Sequence, residues 1–407
     1  MSSFARILIV TNGPLCRNPR VVKEATTLGR NGHAVTVLTV RNHAPSDPID
    51  LALLCAAPFR RETVDMLPGC GPAAFARRLF VRGARVAASR LGWKTISSLG
   101  PAGSVLRRMR AFPADLIIVH NEIPHWAGSR LIGEGRRVAA DIEDWHSEDL
   151  LPEERRHRPM LLLRQTEQFL LNRAVYTTTT SHALADALFA RYGGVRPCVL
   201  SNSFPLQTEP RRALGDPPAF FWFSQTLGAG RGLENFLSAW SLTTQPSTVV
   251  FLGEPRPRYT EDLLRLLPAS HRLRVSFRPL VPPDALPAVI AAHDIGLALE
   301  DSAIVNRDLT ITNKILQYLN AGLAVVATST TGQREVIRAT PDCGLLLSPD
   351  LKVQAAQLDE ILGDRARLRA CQLAARAAAE RQFCWELESP RLLETVARAL
   401  ATPISSS

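Results

Sequence analysis

Lysine is nearly missing from this 407-residue chain: only Lys23, Lys94, Lys314 and Lys352 occur, so the 48 basic residues are almost all arginine. Acidic residues number 38, which leaves a formal net charge of +10. That sign fits an anionic partner such as nucleic acid, a membrane surface or a phosphorylated substrate without choosing among them. GC-rich coding yields the same arginine bias with no selection. Aromatic residues are scarce as well, at 6%, and do not interleave with the basic runs, which argues against a stacking platform for single-stranded nucleic acid. The seven cysteines, Cys16, Cys55, Cys70, Cys198, Cys343, Cys371 and Cys384, include no Cys-x-x-Cys pair. Their odd number and wide spacing fit a reducing compartment. Long apolar runs are absent too. Ile7 to Val10 is too brief for a signal-peptide core, and the uncharged stretches 235–253 and 315–333 are broken by Gln245 and Pro246 and by Gln317 and Asn320. No transmembrane helix is expected.

Several catalytic motifs are also lacking. Without G-x-x-x-x-G-K-[ST] there is no P-loop, and without G-x-S-x-G there is no nucleophile elbow. Neither H-E-x-x-H nor D-x-D occurs, so no catalytic metal is expected. What remains is globular: 46% of the residues are hydrophobic, enough to fill two or three cores and to exclude disorder.

The chain alternates between strand and helix patterns. Arg6 to Thr11 reads as a buried strand, Pro19 to Arg30 as an amphipathic helix with Val21, Val22, Ala25 and Leu28 on one side, and Ala34 to Val40 as the next strand. Strands are expected again at 115–120, 137–142, 174–180 and 198–200, with helices at 160–171 and 182–191. This spacing implies a parallel sheet. Proline and charge dominate Leu206 to Pro218, which reads as a linker. A second alternating unit follows, with strands at 219–224, 248–253, 273–277, 294–299, 323–327 and 344–347 and a helical tail from Leu351 to Leu400. The expected fold is therefore α/β, two Rossmann-like doubly wound parallel-sheet domains facing a cleft: 1–205, linker 206–218, 219–380, and a C-terminal helix in 381–407 returning toward the first domain. Ligands in such sheets bind past the carboxyl ends of strands.

Residues at those ends carry the candidate chemistry. Gly13 follows the first strand, where a missing side chain lets backbone amides approach a phosphate or sugar, although glycine there also serves simple turns. After strand 220–224 comes Gln225 to Gly232, a glycine-rich loop holding Arg231 and leading into a helix, a combination suited to a diphosphate. It is not the dinucleotide fingerprint, because Leu233 stands at the third glycine position. Asn313, Lys314 and Gln317 open another helix, and Lys314 and Gln317, three apart, share a face. A lysine suits phosphate and an amide suits ribose; a merely solvated helix start is the alternative. His120, followed by Asn121 and Glu122, ends a strand in a position suited to proton transfer, or to a satisfied interior histidine. His146 lies in the carboxylate-rich segment 141–149.

Taken together, ILIVTNGP with NPRVVKEATTLGRNGHAVTVLT, DLIIVHNEIPH, DIEDWHSED, VLSNSFP, GAGRGLENFLSAW, NKILQYLNAGLAVVAT and FCWE resemble the GT-B glycosyltransferases of family 4, which are retaining and use nucleotide sugars. Their order covers most of the chain. The resemblance implies that Arg231 and Lys314 hold the donor diphosphate, that His120 contacts the donor sugar near the reacting centre, and that Gly13 lies near donor and acceptor. Asn313 and Gln317 complete the expected donor set, with Glu122, His146, Asn202 and Glu300 as additional candidates. Two departures stand out. Gln317 replaces the second of two family glutamates and Leu309 the first, with Glu300 or Asp308 as substitute carboxylates, and Thr226 replaces a second arginine.

The expected function is transfer of a sugar from a nucleoside-diphosphate sugar to an acceptor hydroxyl, in cell-surface polysaccharide or glycolipid synthesis. No cofactor is expected, the nucleotide sugar being a substrate. A noncatalytic sugar-nucleotide-binding protein of the same shape and a GT-B epimerase are the alternatives, and no nucleic acid partner is expected. Cytoplasmic location follows, peripheral to the inner face of the membrane. Between Arg60 and Arg110 eleven basic residues face only Glu62 and Asp65, interspersed with Phe75, Leu79, Phe80, Val81, Val86, Leu91 and Trp93. That segment is expected to form a basic amphipathic helix pair, either for an anionic membrane or lipid-linked acceptor, through Arg77, Arg78, Arg82 and Arg85, or as a solvated face.

Overall fold

In the computed structural model, which describes residues 4–208 and 213–403, β1 (Arg6–Val10) is buried at four of its five positions. It leads through the helix Pro19–Arg30 into β2 (Ala34–Arg41). Asn18 starts that helix, its side chain accepting a hydrogen bond from the Val21 amide, while Pro19 occupies a first-turn position where no amide is needed. Val21, Ala25 and Leu28 are buried on the face the spacing predicts. Then come β3 (Arg60–Asp65), β4 (Leu116–His120), β5 (Val138–Asp141), β6 (Thr177–Thr179) and β7 (Cys198–Val199). All pair in parallel in the order β3-β2-β1-β4-β5-β6-β7.

β3 corrects the expected helix pair of 60–110. Its sequence, RRETVD, buries only Val64, because an edge strand needs hydrogen bonds from one neighbour and little apolar area. The helices of that segment are Gly71–Arg90 and Ala102–Ala111.

The second sheet contains β8 (Ala219–Leu227), β9 (Thr248–Pro255), β10 (Val275–Arg278), β11 (Ile295–Ala298), β12 (Ala324–Thr328) and β13 (Gly344–Leu347), parallel throughout in the order β10-β9-β8-β11-β12-β13. β8 extends past a register shift between Phe223 and Thr226, so Gln225 to Leu227 belong to the strand and the glycine loop proper begins at Gly228. Alternating aromatic residues fill both faces. Phe220 and Trp222 pack with Phe251 and Leu297 on one side, and Phe221 packs with Ile315, Leu319 and Val325 on the other. Each such side chain contributes about 1.5–3 kcal/mol by leaving water. Gly296 has a specific purpose: a Cβ there would lie 2.2 Å from the Tyr318 ring. Its absence lets the helix Asn313–Ala321 seat against β11, which sets the height of Lys314 at the strand's carboxyl end.

The chain divides into two compact units, Met1–Leu200 with Ser389–Ser407, and Ser201–Glu388. The final helix, Trp385–Ala401, therefore starts in the second unit and continues in the first. The expected linker 206–218 lies inside the second unit, where the Gly215 and Ala219 amides both donate to Asp294; residues 209–212 fall outside the described residues. Among the described residues no helix is long and apolar enough to cross a membrane.

Candidate active site

Each sheet reverses its winding once, between β1 and β4 and between β8 and β11. The carboxyl ends beside such a switch are where open α/β sheets hold ligands.

In the second unit, Gly228 to Gly232 carry the chain from β8 into the helix Leu233–Trp240. Gly230 (φ 78°) and Gly232 (φ 71°) are left-handed, a conformation glycine adopts without strain. Arg231 projects between them, its Nη1 3.1 Å from Glu300 Oε2. The other oxygen of Glu300 accepts from Lys314 Nζ at 2.6 Å. Glu300 is itself fixed by Thr328, whose hydroxyl oxygen accepts from the Glu300 amide at 3.0 Å and donates to the Glu300 carbonyl at 2.9 Å. Lys314 is buried, with its ammonium 5.4 Å from the centre of the Trp222 ring, whereas the Arg231 side chain is one-third exposed. A third cation, Arg307, donates from Nη1 to the Gly230 carbonyl at 2.6 Å.

Burial works against charging Glu300, yet Lys314 and Arg231 hold its carboxyl below the ordinary range. Burial also pulls the Lys314 ammonium below its usual range, with Glu300 opposing that shift. Three cations around one carboxylate leave a formal surplus of two positive charges, the complement of a diphosphate diester. Further along the same helix face, the buried Gln317 Oε1 has no partner among the described residues, nor has the buried Thr312 hydroxyl just before the helix; Asn313 is half-buried at its first position. Asp308 is not part of this cluster: it accepts from the Thr331 amide and hydroxyl.

In the first unit the switch is marked by strain. Asn121, directly after β4, has φ 67°, a conformation costing about 1–3 kcal/mol for a residue with a side chain. It is held by the Thr11 hydroxyl, donating to Asn121 Oδ1 at 2.7 Å, and by the Asn12 amide at 3.2 Å. A Cβ added at the neighbouring Gly13 would meet nothing within 4 Å, so its bareness keeps space open beyond β1.

His120 corrects the expectation of an imidazole offered to a sugar. It is 1% exposed, with Nε2 2.7 Å from Glu24 Oε2 and Nδ1 3.1 Å from Asp141 Oδ2. Asp141 is gripped in turn by Nε and Nη2 of the Arg20 guanidinium, at 2.5 and 2.8 Å, and by the Thr178 hydroxyl at 2.6 Å. Burial disfavours the imidazolium, but the two carboxylates outweigh it and raise the histidine to about 10. His120 is thus a buried cation that ties β4 to β5 and to the helix Pro19–Arg30.

Glu122 and His146 come together nearby. Glu122 pairs with Arg158 and lies 4.0 Å from His146 Nδ1; despite burial, His146 and Arg158 lower it to about 2. His146 is raised, since Glu122 and Asp144 overcome its desolvation. His125 instead donates from Nε2 to the Asp141 carbonyl and is lowered to about 3, chiefly by burial. Beside Arg158 a cavity of about 460 Å³ opens, lined by Arg85, Ala88, Ser98, Leu99, Leu150, Glu154, His157 and Arg158. Asn202 is buried in the second unit beside Ser201.

Two family descriptions match the sequence: Glycosyl transferase 4-like domain over residues 18–203 and Glycosyl transferases group 1 over residues 218–364. The chain belongs to the family 4-like glycosyltransferases. Its fold is GT-B. Among solved structures this glycosyltransferase is similar to sucrose-phosphate synthase from Thermosynechococcus elongatus (TM-score 0.72, 15% identity, 97% of this chain and 99% of that one). It is similar to HepE of Anabaena in complex with UDP and glucose (0.68, 17%, 97% and 100%), and to WaaG, a glycosyltransferase involved in lipopolysaccharide biosynthesis (0.59, 15%, 98% and 100%). No curated protein sequence matches it.

Arg307, Arg158 and Asn121 were not picked out by sequence. Nothing local distinguishes the two arginines among so many others, while Asn121, the residue between His120 and Glu122, carried a signal in its place after a strand.

Proposed function

We propose that the second unit binds a nucleoside-diphosphate sugar by its diphosphate and that the enzyme transfers the sugar with retention and without a metal ion. The observation that carries this reading is the cluster of Arg231, Lys314 and Arg307 around Glu300 at the winding switch of the second sheet. As the glycosidic bond breaks, the leaving diphosphate gains negative charge. Prearranged cations in a partly dry site stabilise that charge most where it develops, the task a metal performs elsewhere. Lys314 and Arg231, freed from Glu300 by the incoming diphosphate, would take its oxygens, and the amides of the glycine loop would add neutral donors. Gln317 Oε1 and the Thr312 hydroxyl, both without partners among the described residues, would take ribose hydroxyls. HepE, which shares the fold, has been crystallised with UDP-glucose, in keeping with a nucleotide-sugar donor.

The acceptor, in this reading, enters the first unit through the cavity beside Arg158. Its lining sets Arg85, Arg158 and His157 against the single carboxylate of Glu154, a balance that suits an acceptor carrying an anionic group, such as a phosphate-linked lipid in glycolipid or cell-surface polysaccharide synthesis at the cytoplasmic face of a membrane. His120 acts as a positioning residue, keeping the strained Asn121 and Glu122 at the end of β4.

The test is a panel of nucleotide sugars with soluble and lipid-linked acceptors, with nucleotide binding, diphosphate release and product anomer measured separately. Transfer with retention, undiminished by a chelator, is expected. Binding without turnover would make the protein a noncatalytic relative, a reading the glutamine at 317 favours, and product without acceptor would make it an epimerase.

A further inference from the structure

The helix Gly71–Arg90 has one face for the protein and one for something else. Ala74, Val81 and Ala88 are buried, and Arg77, Arg78 and Arg85 donate to the carbonyls of Asp65, Leu67 and Ser98. On the opposite side Phe75, Leu79, Phe80 and Val86 are 60%, 61%, 65% and 46% exposed, and Leu91 and Trp93 continue the apolar surface at 62% and 68%. At about 100° per residue, Phe75, Leu79 and Val86 lie within about 40° of one another, and the centre of that stripe is about 120–160° around the helix from the buried Ala74 and Ala88. Arg82, Arg90 and Lys94 stand exposed among them. From Met66 to Ala114 the sequence contains no aspartate or glutamate, against nine arginines and lysines.

We infer that this face docks the enzyme on an anionic lipid bilayer. The pattern of apolar, aromatic and cationic side chains with no anion matches an interfacial helix, whose apolar edge enters the acyl boundary while its cations meet headgroup phosphates. A protein partner would have to supply both a large apolar patch and a surplus of acidic groups; a bilayer containing acidic phospholipid offers both at every point. Of the four arginines expected to do this, Arg77, Arg78 and Arg85 are largely spent on holding the helix to its own domain, and Arg82 stays exposed. Arg82, Arg90 and Lys94 carry the attraction. The inference rests on the proposed lipid-linked acceptor only for its purpose, since Arg85 of the same helix also lines the acceptor cavity.

The test is cosedimentation of the full-length protein with vesicles of phosphatidylcholine alone and with about 30% phosphatidylglycerol, at low and high salt. Binding is expected to the anionic vesicles and to weaken as salt rises. The variant Arg82→Gln/Arg90→Gln/Lys94→Gln should lose about 100-fold in partitioning, at roughly tenfold or less per cation. Phe80→Ser/Trp93→Ser should also lose binding, because exposed side chains can be replaced without unfolding. Nucleotide binding, measured on the same preparations, should stay at the native level, so loss of donor binding would strike the proposed function and not this face. Equal binding by native protein and variants, equal binding to neutral vesicles, or concentration-dependent dimerisation abolished by Phe80→Ser/Trp93→Ser without vesicle binding would each overturn the inference.

Discussion

Replacing Lys314 by methionine separates two roles that the geometry assigns to one side chain. The ammonium is buried 2.6 Å from Glu300, so its loss strands a buried carboxylate with Arg231 as its remaining close partner. Breaking a buried pair on one side costs about 3–5 kcal/mol, and the surviving arginine puts Lys314→Met near the lower figure, about 3 kcal/mol. For a domain of this size that is a fall of about 6–12 °C in the second unit's melting temperature. The same change removes a charge-assisted hydrogen bond to the donor diphosphate, worth about 1.5–3 kcal/mol, or about a 10- to 150-fold weaker nucleotide affinity. Adding Glu300→Gln removes the stranded charge, so the double variant should regain most of the stability while the affinity stays low. Calorimetric melting and titration with nucleoside diphosphates of different bases measure the two quantities independently. If the double variant recovers native affinity along with stability, Lys314 has no part in donor binding. If Lys314→Met melts like the native protein, the buried pair contributes nothing.

Three further outcomes follow from the same geometry. Arg231→Ala, at a side chain one-third exposed, should leave the melting temperature within about 2 °C of native and lower kcat/KM at least tenfold, an interaction made with the leaving group appearing in kcat; unchanged turnover would refute it. His120 is raised from 6.5 to about 10, so its contribution to stability should be complete below pH 6.5 and disappear as the pH rises through about 10; denaturant unfolding between pH 6 and 10, compared with His120→Gln, should show that slope in the native protein alone. His120→Gln should itself cost about 3 kcal/mol or more, since it leaves Glu24 and Asp141 facing each other in a buried site, with Arg20 still holding Asp141.

The hydrophobic rhythm in the chain was enough to place most strands within a few residues, as with Arg6–Val10 and Ala34–Arg41, because burial on both faces of a parallel sheet writes itself into local composition. The ordered motifs were enough to name the family. β3 stayed hidden, since an edge strand of arginines and a glutamate owes its form to its neighbour β2. Likewise Arg231, Lys314 and Glu300 were legible one by one as polar residues after strands, but that the carboxylate lies between the two cations, with Arg307 closing on the glycine loop, depends on where β8, β11 and the helix at Asn313 end relative to one another. His120 shows the same limit from the other side. A histidine at the end of a strand reads the same in sequence whether it faces a substrate or a glutamate 96 positions earlier, and only the tertiary placing of the helix Pro19–Arg30, with the pairing of β5 beside β4, brought Glu24 and Asp141 to its two nitrogens.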